Sequence, residues 1–210
     1  DPICTILMNI KIDYAAVSST KLPRVLADEI VKRKDSDQLL LLMAASFSIL
    51  KVLQASEFVS IVHRFEYFLQ TNDIEDYTNN FSTSNVIDVS SDQKKNPLKM
   101  PSFLCLAAIS NFSPSSVNYQ LIVPVAAYFV NVDSILMRET SAIILCNHIS
   151  DPNVDLNLVF KTFVDNFNEK IVDDSVKAAV LALSSVCHRS EISKDLLKEM
   201  SRIYSTIRMK

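Results

Sequence analysis

The residues of this 210-residue chain best suited to chemistry are its three histidines and four cysteines, and two sets stand close together: Cys146-Asn147-His148 and Cys187-His188. Thiolate and imidazole both bind zinc, and a thiol beside an imidazole is also the raw material of a nucleophile with its base. The spacings argue against both uses. Zinc fingers separate their ligands by two to five residues within each pair, which neither set completes, even with His63 added. On a helix, residues i and i+2 point to different sides. A hydrolase-type nucleophile turn needs flanking glycines, and the chain has none. The paired acids Asp28-Glu29 and Asp173-Asp174 read as helix-end carboxylates, which the first turn favours. Arg64 and Arg138 are the interior arginines a helical GTPase regulator would need, and neither has a supporting motif. Arg138 and Glu139 also begin a segment running to Asn147; they read as a solvated turn, or else as contacts for an acid or base of a bound partner near the groove. The expectation is no catalytic residue, no metal and no cofactor, so that the chain is not an enzyme.

The elements that must position these residues follow from composition. Glycine is absent, where average usage is about 7%. Without it there is no ready supply of positive φ angles for hairpin turns and bulges, nor a glycine loop to let backbone approach phosphate. Helices joined by polar or proline-containing connections need glycine least, so the fold class is all-α. The net charge of −3 and pI near 5.6 give no general attraction to nucleic acid or anionic membrane. Lys32-Arg33-Lys34 reads as a solvated helix end. Cys4, Cys105, Cys146 and Cys187 are far apart, each in an apolar stretch, which suits packed reduced thiols in the cytoplasm or nucleus. The apolar run beginning at Leu39 is too short to span a bilayer. A chain beginning at Asp1 reads as a fragment of something larger.

Helices are expected from Pro23 to Lys34, from Gln38 to Gln54 after an Asp35-Ser36-Asp37 cap, and from Ser56, where Phe58, Val59, Ile61, Val62, Phe65, Phe68 and Leu69 recur at helical intervals. From Thr71 to Pro101 the pattern fails, and the stretch reads as a polar insertion or mobile loop between repeats. Beyond it, helices are expected over 102–112, 117–131, 133–149, 154–167, 176–187 and 193–208. Pro124 should kink or break the second of these.

Three of these segments superpose. Leu106-Ala107-Ala108-Ile109-Ser110-Asn111, Ala142-Ile143-Ile144-Leu145-Cys146-Asn147 and Val180-Leu181-Ala182-Leu183-Ser184-Ser185 are each followed by a polar turn and another helix. Asn111 and Asn147 are 36 residues apart, and Asn147 and Ser185 are 38 apart. Over about Ser102 to Arg208 this resembles the armadillo/HEAT family, with Ala108 to Val123 similar to the end of an armadillo third helix running into the next repeat. The resemblance implies a single-domain, right-handed α-solenoid of about three to five irregular repeats. It places Asn111, Asn147 and Ser185 in a groove, where an asparagine amide bonds the backbone of an extended peptide. Four residues before these positions stand Ala107, Ile143 and Leu181, where import-receptor relatives carry tryptophan; this chain has no tryptophan. Small residues at Cys105, Ser141 and Ala179 let neighbouring helices approach.

The expected function is a non-catalytic scaffold or adaptor that binds an extended peptide or helix of another protein, with no direct nucleic-acid contact and no membrane insertion. Asn111, Asn147, Ser185, Arg138, Ala107, Ile143 and Leu181 are the candidate partner-binding residues. The alternatives are a structural piece packed within a larger complex, or an all-helical GTPase regulator.

Overall fold

The computed structural model describes Val25, Glu29 and residues 55–70 and 98–208, and the described residues form α-helices and short 3-10 turns without a strand. The chain divides into two compact units, Asp1–Val117 and Asn118–Lys210. Of the expected helix over 23–34, Val25 and Glu29 are described, both helical; the expected helix over 38–54 lies outside the described residues. Most of the expected insertion over 71–101 lies outside them too.

In the first unit, α1 (Ala55–Gln70) packs on α2 (Lys99–Phe112), with the 3-10 turn Pro114–Ser116 against both. Ile61, Val62, Phe65, Phe68 and Leu69 are buried, at the spacing that puts them on one side of a helix. Arg64 is buried among them, its guanidinium 4.5 Å from the Phe68 ring. Val59, expected in the same stripe, is exposed. Helix α2 begins three residues earlier than expected. Leu98 and Lys99 are buried, and Pro101 sits in the first turn, where the missing N–H has no intrahelical acceptor to lose.

In the second unit, α3 (Tyr119–Phe129), α4 (Ile135–His148), α5 (Leu156–Asn166), α6 (Asp174–Ser185) and α7 (Lys194–Arg208) follow one another. Each starts where a polar side chain can accept a first-turn N–H. Asn118 accepts from Gln120, Ser134 from Met137, Asp155 from Leu158, Asp173 from Val176 and Ser193 from Leu196. The break expected at Pro124 does not occur. Helix α3 continues through it, because burial on almost every side outweighs one lost backbone bond. Leu121 to Ala127 and Phe129 are all buried, and each large apolar side chain covered contributes roughly 1.5–3 kcal/mol.

The main packing partners alternate along the chain: α3 packs on α4 and α5, α4 on α6, and α5 on α7. Ser141 and Ala179, both fully buried, are the small residues on α4 and α6. Two polar ties reinforce this. Buried Arg138 donates from Nε to Asp173 Oδ2 at 2.7 Å, and from Nη1 to the carbonyls of Val132 at 2.9 Å and Asp133 at 2.7 Å. Asn157 donates to the Glu191 carbonyl at 2.6 Å and accepts from the Ser193 N–H at 3.0 Å. With the Cys146 thiol facing the Ala178 carbonyl at 3.8 Å, these cross-helix contacts span 35, 34, 36 and 32 residues.

Candidate functional site

An α-helix turns about 100° per residue, so positions three, four and seven apart share a side. On α4 the exposed residues Ile135, Leu136, Glu139, Ile143, Cys146 and Asn147 fall on one such side. On α6 the exposed residues are Asp174, Lys177, Leu181 and Ser185. The two exposed sides meet where Cys146 faces Ala178, so they form one outward face with a small-residue floor. Ile143 stands on one side of that floor, 55% exposed, and Leu181 on the other, 60% exposed. Leu136, two turns before Ile143, is 53% exposed.

The face carries little charge. Asp174 and Lys177 pair with each other at 3.2 Å, the carboxylate fully exposed and the lysine about half exposed, an arrangement that contributes little. Glu139 is the remaining ionic side chain on the exposed side of α4. An outward surface of this kind, with large apolar side chains held on rigid helices, is suited to covering by another protein.

The structure treats the expected site residues differently from one another. Ile143, Leu181, Asn147 and Ser185 lie on the outward sides of α4 and α6. Asn147 is exposed and its amide makes no hydrogen bond to a described residue, whereas Ser185 spends its hydroxyl on the Ala182 carbonyl at 2.7 Å. In the other unit, Asn111 is exposed and its amide bonds the Ala107 carbonyl at 3.3 Å, and Ala107 itself is buried. Arg138 is buried, and its guanidinium is committed within the protein rather than turned toward a ligand. The reason is local: helix α4 starts at Ile135, so Arg138 completes its first turn and reaches the carboxylate that caps α6.

The histidine and cysteine sets do not converge. Cys146 looks toward α6, while the His148 ring stacks on Tyr119 of α3 at 4.0 Å and 18°. Burial lowers the pKa of His148, and Asp151 opposes that shift. Cys187 donates weakly to the Leu183 carbonyl at 3.5 Å, and His188 is exposed. Burial raises the thiol pKa of Cys146 and Cys187, and pushes Cys105 up to about 12; these are the reverse of the shift that activates a thiol. Among the described residues no three His, Cys, Asp or Glu side chains come together as a metal site, and no helix is long and apolar enough to cross a membrane.

Sequence reasoning missed two contributors. Leu136 looks like core in a segment with apolar residues on every side, and Asn157 is an ordinary polar residue until Glu191 and Ser193 meet it. The 36-residue offset between Asn157 and Ser193 was the available signal for the second. In comparison with known proteins, no family model matches this chain, and no curated protein or solved structure matches it either.

Proposed function

We propose that this chain is a non-catalytic protein-interaction module, built as a right-handed solenoid of armadillo/HEAT-like repeats, whose α4/α6 face receives a segment of another protein. The observation that carries this reading is the outward face itself: Leu136, Ile143 and Leu181 more than half exposed around the Cys146–Ala178 contact, with Glu139 as its one unpaired charge. Each is already partly covered, so burying the remainder contributes roughly half of the ~1.5–3 kcal/mol of full burial, and two or three of them together suffice as anchors for a partner. Asn147 adds an uncommitted amide at the edge. The alternating helix contacts and the 32–36-residue spans support the repeat architecture. The free thiols of Cys105, Cys146 and Cys187 suit the cytoplasm or nucleus.

Photo-crosslinking from position 143 or 181 of the full chain, in its native cells, tests the reading. A discrete partner should be captured from those positions and not from Lys161, which is exposed on α5. Ile143→Asp with Leu181→Asp should then weaken that partner's binding about tenfold or more, two buried contacts being worth at least 1.4 kcal/mol. The melting temperature should stay nearly constant, because both side chains already stand in water. Asn147→Ala should weaken binding less, and adding Asn111→Ala should change little further. Undiminished binding by the Asp variants would remove the face from the site.

The low charge of the face also favours a second reading, permanent burial inside a larger complex, since obligate interfaces are the more apolar ones. A crosslinked partner that stays bound at every dilution would select it.

A further inference from the structure

We propose that the outward side of α7 is a second docking surface, for an extended peptide segment carrying acidic residues at alternate positions. Helix α7 buries Met200, Ile203 and Ile207. At 100° per residue, exposed Lys194, Lys198, Arg202 and Arg208 fall on the opposite side, within an arc of about 120°. Exposed Ser201 and Ser205 lie between them. The strip is not a by-product of a basic composition, because the chain as a whole carries −3. Nor is it neutralised from within. Lys194, Lys198 and Arg208 form no ion pair with a described residue. Arg202 pairs with Glu199 of its own helix at 3.1 Å while its side chain stays 78% exposed, a contact that water and salt screen heavily.

Charge complementarity and width choose the occupant. Lys194, Lys198 and Arg202 are four residues apart, so their positions rise in steps of about 6 Å along the helix. Alternate residues of an extended chain are about 6.6–6.8 Å apart, so three acids separated by single residues match three cations in order. The acids of α7 lie together beyond Arg202, where Asp195 and Glu199 close one edge of the strip. Tyr204, 41% exposed, and half-buried Leu197 form an apolar border at the other edge. A membrane broad enough to meet Lys194 and Arg202 together also meets Asp195 beside them, whereas a peptide lying along the strip does not.

The test uses the full chain and a fluorescein-labelled peptide of alternating glutamate and serine, followed by anisotropy at about 50 mM salt, where exposed charges are only partly screened. The same peptide with glutamine in place of glutamate, phosphatidylserine/phosphatidylcholine vesicles and a duplex oligonucleotide are the comparisons. The glutamate peptide should bind in preference to all three, and its affinity should fall several-fold on raising the salt to about 200 mM. Lys198→Glu with Arg202→Glu should weaken it about tenfold while helicity and melting stay unchanged, because both residues are exposed. Ile143→Asp should leave it unaltered. Equal binding of the glutamine peptide, or no effect of the double variant, would overturn the proposal. Stronger binding of vesicles or duplex would overturn it in favour of those ligands. Self-association abolished by the double variant would overturn it in favour of a second copy.

Discussion

Two side chains fasten neighbouring helices of the 118–210 unit at almost the same sequence distance, with opposite electrostatics. Arg138 reaches Asp173, 35 residues on, as a buried cation with three committed hydrogen bonds. Asn157 reaches Glu191 and Ser193, 34 and 36 residues on, through a neutral amide near solvent. The first tie joins the α3–α4 turn and α4 to the cap of α6; the second joins the start of α5 to the cap of α7. The difference lies in what happens when a partner is lost. A buried guanidinium without its carboxylate keeps a desolvated charge, while an amide at the surface finds water. The ionic tie therefore makes its junction intolerant of change, and the neutral tie leaves its junction adjustable.

Removing the acid is the most severe way to break the comparison. Asp173→Ala takes away both the ion pair and the α6 cap, and should cost on the order of 3 kcal/mol of unfolding free energy in urea titrations. A loss below about 1 kcal/mol, the scale of an exposed pair, would mean that Arg138 is rehydrated and the two ties are equivalent. Asn157→Ala should cost about 1–2 kcal/mol by the same measurement, two neutral hydrogen bonds near the surface. The smallest effect expected is on acid stability. Burial alone would raise the Asp173 carboxyl, yet the Val176 N–H, the Arg138 guanidinium and the Ser175 N–H together hold it below its ordinary 3.8. A carboxyl with a depressed folded pKa stabilises the fold above its unfolded value, and that contribution is lost as pH falls through the folded one. Comparing melting curves of the chain and Asp173→Asn from pH 5 downward should therefore show the gap narrowing below about pH 4, near the unfolded carboxyl value. A constant gap would assign the tie to geometry alone.

Much of the helical frame was legible in the sequence. The acids before α6, the polar start of α4 and the run to Arg208 are local signals, and local hydrogen bonding decides them. The start of α2 was hidden because Pro101 looks like a terminator, although a first turn accepts it. The continuity of α3 through Pro124 was hidden because propensity says nothing of burial on all sides. The role of Arg138 was hidden, because nothing local points to a carboxylate 35 positions away that comes within 2.7 Å. Cys146 was expected to be packed and is exposed, since α4 is apolar around much of its circumference and pattern alone cannot say which side faces out. For the same reason Ile143 and Leu181 could be singled out by their repeat position, but their exposure is a property of the packed unit.

The contacts spanning 32 to 36 residues carry a consequence for where a disturbance is felt. Arg138 to Asp173, Cys146 to Ala178 and Asn157 to Glu191 each tie a helix to the next but one. Loss of one tie therefore loosens its own two helices first, and the other ties keep their partners.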